Sequence, residues 1–206
     1  MKTIIGGIQI PERSSKPRDH GITIVLDKGL GLRAVEDLLQ TAGEFIDIAK
    51  LGWGTWQLFS KDLLKEKIKL YKDYNIDVMN GGTSFEIAFL QNKVNNFFTE
   101  AKEIGLTAIE ISEGVIDLSP EQRVNFTKFV KSLGFKVFAE VGKKSYERDQ
   151  DITVDERIAL IKEYLKLGAE KVALEARETG ASGIFDEYGN VVLPRVKSIV
   201  KQVDVK

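Results

Sequence analysis

Acidic and basic residues stand together in the stretch 138–144, which reads FAEVGKK. An apolar run beginning at Lys136 leads into it, so we expect Glu140 at the end of a buried strand, with Lys143 and Lys144 in the loop beyond. In parallel α/β folds, ligands bind beyond the carboxyl ends of the strands. A carboxylate and an amine at such an end can bind a metal-bridged anion and transfer a proton. The alternative is a solvated pair of surface lysines, which two adjacent lysines alone would favour.

Charged residues also follow the other apolar runs of the chain. They are Asp27 and Lys28, Lys50, Glu86, Glu110 and Glu113, and Glu175, Arg177 and Glu178. In a closed parallel barrel these strand ends converge on one mouth, so we predict a site there. The alternative is that the charges pair with each other at the rim. That interpretation suffices for any single residue, but buried ion pairs are costly to repeat at six strand ends without a function.

The residue types at this mouth predict what it would bind. Carboxylates, with no cysteine and a single histidine in the chain, suit a hard, oxygen-ligated ion, above all Mg²⁺. The sequence alone does not choose among the candidate metal ligands, which are Glu140, Glu175, Glu110 and Asp27. Positive charge for a phosphate and a carboxylate would come from Lys28, Lys50, Lys144 and Arg177.

Two glycine-rich segments follow predicted strands, Gly52-Trp53-Gly54-Thr55 and Gly81-Gly82-Thr83. Glycines there let backbone N–H groups approach an anion closely, although glycine also serves tight turns between strands and helices. We therefore predict substrate-binding roles for Gly82 and Thr83. We predict the same role for two lysines at strand ends, Lys28 and Lys143. Trp53 and Trp56 are interpreted as packing residues.

Composition is that of an ordinary globular protein. The 206 residues are 43% hydrophobic and 30% charged, with a net charge of −1, which gives no basic field for nucleic acid or an anionic membrane. The lack of cysteine excludes disulfides and thiolate catalysis, and one histidine argues against a multi-histidine zinc site. No leader and no apolar run of about 18 residues is evident, so we predict a cytoplasmic protein.

Strand and helix patterns alternate along the chain. The predicted strands are 22–26, 45–51, 76–79, 108–112, 136–140 and 171–174, and 204–206 would begin a seventh. The predicted helices are 32–42, 60–74, 84–104 with a break near Asn92, one between Ser119 and Gly134, 154–167 and 191–203. Residues 145–152 are predicted to be a polar loop.

Continuous alternation implies a parallel sheet with right-handed crossovers. A Rossmann-type sheet would need GxGxxG after the first strand, and residues 27–31 (DKGLG) lack it. We therefore predict an α/β fold of the TIM-type (β/α)8 class, with only six to seven βα units in this chain. The domain spans 1–206, residues 1–20 form an N-terminal arm, and βα units seven and eight are expected to be missing.

Six motifs in order resemble the phosphosulfolactate synthase family and span nearly the whole chain. They are KPRDHGITIVLDKGL (16–30), FIDIAKLGWGT (45–55), GGTSFE (81–86), EISEG (110–114), EVGKK (140–144) and EARETG (175–180). The resemblance implies a TIM-type barrel and a carbon–sulfur lyase of coenzyme M biosynthesis. It further implies Mg²⁺-dependent addition of sulfite to phosphoenolpyruvate, giving (2R)-phospho-3-sulfolactate, in a homo-oligomer.

The same resemblance implies roles for particular residues. Lys144 would donate the proton to the substrate, because the family pattern keeps the second lysine of EVGxK, and Arg177 and Lys50 would hold anionic groups. The chain departs from the usual pattern at Leu51, Glu113, Trp56 and Ser84. Since the family more often has Ser and Leu in place of Trp56 and Ser84, these two departures predict an altered pocket.

Two other functions remain open at this point. The family has a plant heat-stress relative, so the fold can serve as a non-catalytic stress or interaction protein. A related lyase on the same barrel could act on a different phosphorylated carboxylate, and an aldolase type would use a lysine as a Schiff base.

Overall fold

The computed structural model describes residues 13–176, 180 and 182–204. Six parallel strands form one curled sheet in the order β1-β2-β3-β4-β5-β6. The strands are β1 (Ile24–Asp27), β2 (Ile48–Leu51), β3 (Asp77–Asn80), β4 (Ala108–Ser112), β5 (Lys136–Val141) and β6 (Lys171–Leu174). The predicted parallel α/β fold of the TIM type is thereby confirmed.

Helices connect the successive strands. They are α1 (Leu32–Ala42), α2 (Lys61–Asp73), α3 (Gly82–Leu90), α4 (Val94–Ile104), α5 (Pro120–Ser132), α6 (Tyr146–Gln150), α7 (Val154–Leu167) and α8 (Leu193–Gln202), with 3-10 turns at Gly43–Phe45 and Gly52–Leu58. None of the described helices combines the length and the apolar character that a membrane crossing needs.

The two faces of the sheet differ in what covers them. On the outer face, residues such as Ala49, Ile109 and Ile111 belong to the large core that the strands share with the helices. On the inner face, Ile48 and Met79 belong to a small separate core. Because side chains alternate along a strand, residues of one strand that differ by one position face opposite sides.

Local signals fix the helix ends. Ser119 and Gln122 form a capping box at the start of α5, as Thr153 and Glu156 do at the start of α7. Each box satisfies amide groups that a helix start otherwise leaves without partners. Asn92, with a positive φ of 55°, lies between α3 and α4, so the predicted break is confirmed. The predicted loop 145–152 was wrong in part, because it contains α6.

The described part of the N-terminal arm is fastened at the amino ends of the strands. Arg18 donates to a carboxylate oxygen of Asp47 at 2.7 Å, and Lys16 donates to the carbonyl oxygens of Gly43 and Tyr74 at 2.7 and 2.9 Å. These basic residues therefore close the end of the sheet opposite to the predicted mouth. They are not available to an anion there.

Candidate active site

A cavity of about 760 Å³ lies at the carboxyl ends of the strands. It is lined by Leu26, Lys50, Trp53, Gly81, Gly82, Thr83, Val115, Glu140, Lys144, Leu174, Glu175 and Ala176. Residues from the ends of four strands (β1, β2, β5 and β6), together with residues of the turns after β2 to β6, therefore meet around one space. We call this space the mouth cavity.

Lys50 bridges two carboxylates at the floor of the mouth cavity. Its Nζ lies 2.8 Å from a carboxylate oxygen of Glu110 and 2.8 Å from Oε2 of Glu140. Although burial alone would lower the pKa of Lys50, Glu110 and Glu140 outweigh it and raise that pKa above its usual range. Lys50 therefore stays a cation while it borders the cavity.

The two carboxyl groups around Lys50 are held differently. Burial, followed by the charge of Glu140, raises the pKa of Glu110 to about 7. Burial would also raise the pKa of Glu140, but Lys50 and a hydrogen bond with Glu175 hold it below its usual value. Glu140 is therefore the carboxylate of the pair that keeps its negative charge, and it is the one that lines the cavity.

Lys144 forms the second charged group of the mouth. Its ammonium donates to Oε2 of Glu86 and, at 3.0 Å, to Oγ1 of Thr83. Glu86 is fully buried on α3, and its Oε1 accepts from Ser112 Oγ and from the Gly114 amide, each at 2.5 Å. The Lys144 side chain is 12% exposed, so Glu86 aims a nearly buried ammonium at the cavity.

Ser112 connects the two groups. Its Oγ lies 2.5 Å from Glu86 Oε1 and 3.1 Å from Glu140 Oε1. One continuous network of hydrogen bonds thus runs beneath the cavity from Lys144 to Lys50. Sequence reasoning placed Glu86 among the strand-end charges of the mouth but assigned it no specific role, and it did not consider Ser112. A signal for Glu86 existed, because it is the one charged residue in the apolar helix segment FEIAFL, and such a carboxylate needs a buried partner.

The glycine-rich turns come close to these side chains. The Gly82 amide donates to Glu110 Oε2 at 2.6 Å, and a Cβ at Gly82 would lie 2.3 Å from Ser112 Cβ. A side chain at this position would therefore displace β4 from α3. Gly82 and Thr83 both border the mouth cavity, but the Gly82 amide binds Glu110 instead of an external anion.

The two tryptophans behave differently from each other. Trp56 is a buried packing residue, as predicted, and its Nε1 donates to Ser84 Oγ at 3.0 Å. The two departures from the family pattern therefore contact each other. Neither of them lines the mouth cavity, and their effect on that pocket stays a prediction. Trp53, in contrast, is 46% exposed and does line it.

Asp27 is not brought to the mouth. The register pairs Leu26 with Lys50 and Asp27 with Leu51, so Asp27 faces the outer side. Its Oδ2 lies 2.6 Å from Lys67 Nζ and 3.0 Å from Tyr71 OH, and its Oδ1 accepts from the Gly29 and Leu30 amides. The proposed metal ligand is instead the centre of a buried network between β1 and α2.

Lys143 also lies away from the cavity. Its buried ammonium donates to the carbonyl oxygens of Glu113 and Ile116 at 2.6 and 2.7 Å, and to Asp117 Oδ1 at 2.8 Å. The predicted substrate-binding role is corrected to a structural one, in which Lys143 ties the loop after β5 to the loop after β4. Of the two adjacent lysines, only Lys144 faces the mouth.

A second buried carboxylate, Asp149, holds the same loop from the other side. Asp149 Oδ1 accepts from the Lys143 amide at 3.0 Å and from the Arg157 guanidinium at 3.1 Å, while Oδ2 accepts from the Gly183 amide at 2.8 Å. Asp149 and Arg157 are both fully buried. This ion pair therefore fixes the chain after β5 to the chain after β6.

Three predicted residues remain, namely Glu175 after β6, Lys28 after β1, and Arg177. Glu175 borders the mouth cavity next to Glu140. Lys28 is exposed, and its Nζ lies 4.7 Å from the centre of the Trp53 ring. Arg177, predicted to hold an anionic group, lies outside the described residues.

The carboxylates near the mouth cavity differ in how well they suit a metal ion. Within residues 13–176, 180 and 182–204, no three acidic or histidine side chains are grouped so as to hold one. Glu140 and Glu175 do form a hydrogen-bonded pair that faces the cavity. Because Mg²⁺ is commonly bound by one or two carboxylates together with waters and substrate oxygens, this pair fits such an ion. Asp27 does not.

Comparison with protein families gives one model that matches residues 11–206, that of (2R)-phospho-3-sulfolactate synthase (ComA). The chain is 45% identical over 187 residues to phosphosulfolactate synthase of Methanocaldococcus jannaschii, covering 90% of this chain and 74% of that protein. It is 36% identical over 193 residues to phosphosulfolactate synthase of Bacillus subtilis, covering 94% and 75%. A plant protein, HEAT-STRESS-ASSOCIATED 32 of Arabidopsis thaliana, is 20% identical over 129 residues, covering 61% and 45%.

Solved structures show the same fold at low identity. A crystal structure from Burkholderia cenocepacia, described as a lyase or mutase, matches with a TM-score of 0.54 at 11% identity and covers 90% of this chain and 66% of that one. The carboxyl transferase domain of Rhizobium etli pyruvate carboxylase, with oxamate and biotin, matches with a TM-score of 0.52 at 11% identity, covering 90% and 36%.

Proposed function

We propose that this chain, which belongs to the (2R)-phospho-3-sulfolactate synthase family, adds sulfite to phosphoenolpyruvate to give (2R)-phospho-3-sulfolactate. The observation that carries the proposal is the position of Lys144. It is an ammonium group held by Glu86 and Thr83 at the edge of a cavity that is large enough for a small phosphorylated carboxylate.

The reaction needs one new bond and one proton. The sulfur lone pair of sulfite forms a bond to C3 of phosphoenolpyruvate, and the electrons of the C2–C3 double bond move toward C2 and the carboxylate. A proton delivered to C2 from one face then completes the product and sets its configuration. Lys144 supplies that proton, and its amine is reprotonated from solvent through the open cavity.

Glu86 suits Lys144 to this task. A fully buried carboxylate that also accepts from Ser112 and Gly114 has a fixed orientation, so the ammonium it holds has a fixed orientation as well. Positioning of an acid within reach of the reacting atom contributes about 10²- to 10⁴-fold to a rate. Because the ammonium lies on one side of the cavity, the substrate receives its proton from that side.

Lys50 stabilises the charge that develops on the substrate. It remains protonated between Glu110 and Glu140 while bordering the cavity, and a cation whose position is already fixed stabilises an anion that develops beside it. Glu140 and Glu175 would hold Mg²⁺, which when bound supplies a Lewis acid for the substrate carboxylate. Arg177 would hold a further anionic group.

The test is formation of phosphosulfolactate from phosphoenolpyruvate and sulfite, measured with Mg²⁺ and with a chelator. We expect turnover that requires Mg²⁺ and falls about 10²- to 10⁴-fold in Lys144→Ala. Lys65→Ala, which changes an exposed lysine on α2, is the matched control and should keep full activity. A folded parent chain without turnover would refute the proposal.

A Schiff-base lyase would give a different result. Borohydride treatment with a carbonyl substrate would then attach the substrate to a lysine and inactivate the protein. We expect no such attachment, because the Nζ atoms of Lys50 and Lys144 are both engaged in ion pairs with carboxylates.

A further inference from the structure

Trp53 has a backbone conformation that residues other than glycine rarely adopt. Its φ and ψ are 54° and 15°, and Gly54 follows with a φ of 74°. Such a left-handed conformation costs about 1–2 kcal/mol for a residue other than glycine. Strain of this kind persists where surrounding contacts impose it, and it is found most often at functional sites.

Neighbouring backbone imposes this turn. A Cβ at Gly81 would lie 2.9 Å from the Leu51 carbonyl oxygen and 3.2 Å from the Trp53 nitrogen, so the two glycine-rich turns pack against each other. The Gly81 amide also donates to the Leu51 carbonyl at 2.7 Å. The consequence is that Trp53 is presented at the mouth cavity, although 46% of it stays exposed. Burial of the indole therefore does not explain the strained conformation.

The hydrogen-bonding state of the indole points to a ligand. Trp56 Nε1 donates to Ser84 Oγ, whereas Trp53 Nε1 donates to no acceptor within the described part of the chain. The ring of Trp53 instead contacts a cation, because Lys28 Nζ lies 4.7 Å from its centre. The Lys28 ammonium thus lies beside an indole whose N–H can donate a hydrogen bond. Both groups interact favourably with an anionic oxygen.

We propose that Trp53 contacts the substrate and, with Lys28, binds an anionic oxygen of the phosphorylated carboxylate at the rim of the mouth cavity. The inference rests on the proposed function for the identity of the substrate. It adds a residue on the β1–β2 side of the cavity, opposite in the sheet to the Glu140–Glu175 pair on β5 and β6.

Binding can be measured without turnover. The chain has two tryptophans, so Trp56→Phe leaves Trp53 as the single fluorophore, and Trp56 lies outside the mouth cavity. We expect phosphoenolpyruvate alone, without sulfite, to change the Trp53 emission in a saturable manner, and inorganic phosphate to compete for the same change. An emission spectrum that neither anion alters would overturn the inference.

Kinetics supply the second measurement. Trp53→Phe keeps the ring over Lys28 but removes the N–H, and Lys28→Met removes the cation. We expect each to raise the KM for phosphoenolpyruvate about tenfold while kcat changes less than about twofold, since a hydrogen bond to a charged group contributes about that factor. The combined variant should raise KM by less than the product of the two, because both act on one oxygen. Unchanged KM in both single variants would refute the inference.

The two proposals fail separately. If phosphoenolpyruvate alters Trp53 emission but no phosphosulfolactate forms with sulfite, the rim site stands and the synthase reaction does not. If phosphosulfolactate forms and Trp53→Phe has the parent KM, the reaction stands and the rim site does not. A Trp53→Phe chain that unfolds leaves the fluorescence titration of Trp56→Phe to decide.

Discussion

The inner and outer faces of the strand ends both carry buried ion pairs, yet they are built in different ways. On the outer face, Asp27 binds Lys67 and Tyr71, and Asp149 binds Arg157. On the inner face, Lys50 bridges Glu110 and Glu140. All these groups are acidic and basic residues at the carboxyl ends of strands or in the segments that follow. Among these groups, all of them within the described part of the chain, Lys50 and Glu140 are the ones that line the mouth cavity.

The outer carboxylates have partners for both oxygens, and half of those partners are backbone amides. Asp27 accepts from the Gly29 and Leu30 amides, and Asp149 accepts from the Lys143 and Gly183 amides. A carboxylate with such partners fixes the course of the loops around it. Outer pairs therefore stabilise the turns that carry the site.

The inner pairs keep cations next to open space. Lys50 and Lys144 each have carboxylate partners on the protein side and the mouth cavity on the other. An anion that enters the cavity meets two ammonium groups whose positions are already set. Ion pairs of the same kind therefore hold loops in place on the outer face and leave cations beside an open cavity on the inner face.

The largest effect should come from breaking an outer pair. Arg157→Met leaves the fully buried Asp149 without its ion-pair partner, and removing one partner of a buried pair costs about 3–5 kcal/mol. We expect the free energy of unfolding, measured with urea, to fall by that amount. Arg33→Met, at an exposed position on α1, is the matched control and should change it by less than about 0.5 kcal/mol. If Arg157→Met lowers the free energy of unfolding by less than about 1 kcal/mol, the Asp149–Arg157 pair does not have the structural role assigned to it.

A smaller effect should appear when the inner face is titrated. The pKa of Glu110 is raised from 4.5 to about 7, so folding favours its protonated form. Its contribution to the free energy of unfolding is fully present below about pH 4.5 and is lost as pH rises to about 7. The loss is on the order of 3 kcal/mol. Unfolding of parent and Glu110→Gln should be compared across this range in a chelator. As pH rises from about 4.5 to about 7, we expect the free energy of unfolding of the parent to fall relative to that of Glu110→Gln. A difference between the two proteins that does not change with pH would argue against the raised pKa of Glu110.

The smallest effect should be that of Asp27 on metal dependence. Because Asp27 faces α2 and not the cavity, Asp27→Asn should leave the Mg²⁺ concentration for half-maximal activity within about twofold of the parent value. Glu140→Gln should raise that concentration about tenfold or more, as changes in a metal site do. Circular dichroism would verify that both variants are folded. Equal shifts in the two variants would show that the faces are not distinct in this respect.

The sequence predicted most of this architecture because its periodic signals are local. The bounds of α1, α7, β4 and β6 agree with the predicted ranges, since apolar spacing and caps such as Thr153 and Gly168 determine them. Lys50, Glu110, Glu140 and Lys144 were also expected at the strand ends, and the structure brings them together. Their chemical roles remain predictions.

What the sequence did not predict depends on which way a side chain points. Asp27 comes one residue after Leu26, and that single step in strand register sends it outward. Lys143 and Lys144 are adjacent, and only the contacts of the folded loop separate a structural lysine from one at the cavity. The link between Trp56 and Ser84 joins positions far apart in sequence, which no local pattern reveals.

Asp149 also has a consequence for the timing of motion. Its two oxygens hold the amides of Lys143 and Gly183, one in the segment after β5 and one in the segment after β6. A displacement of Asp149 would therefore break both hydrogen bonds at the same time. Hydrogen exchange at these two amides should then follow one common opening rate. Two segments that are distant in sequence would therefore open together.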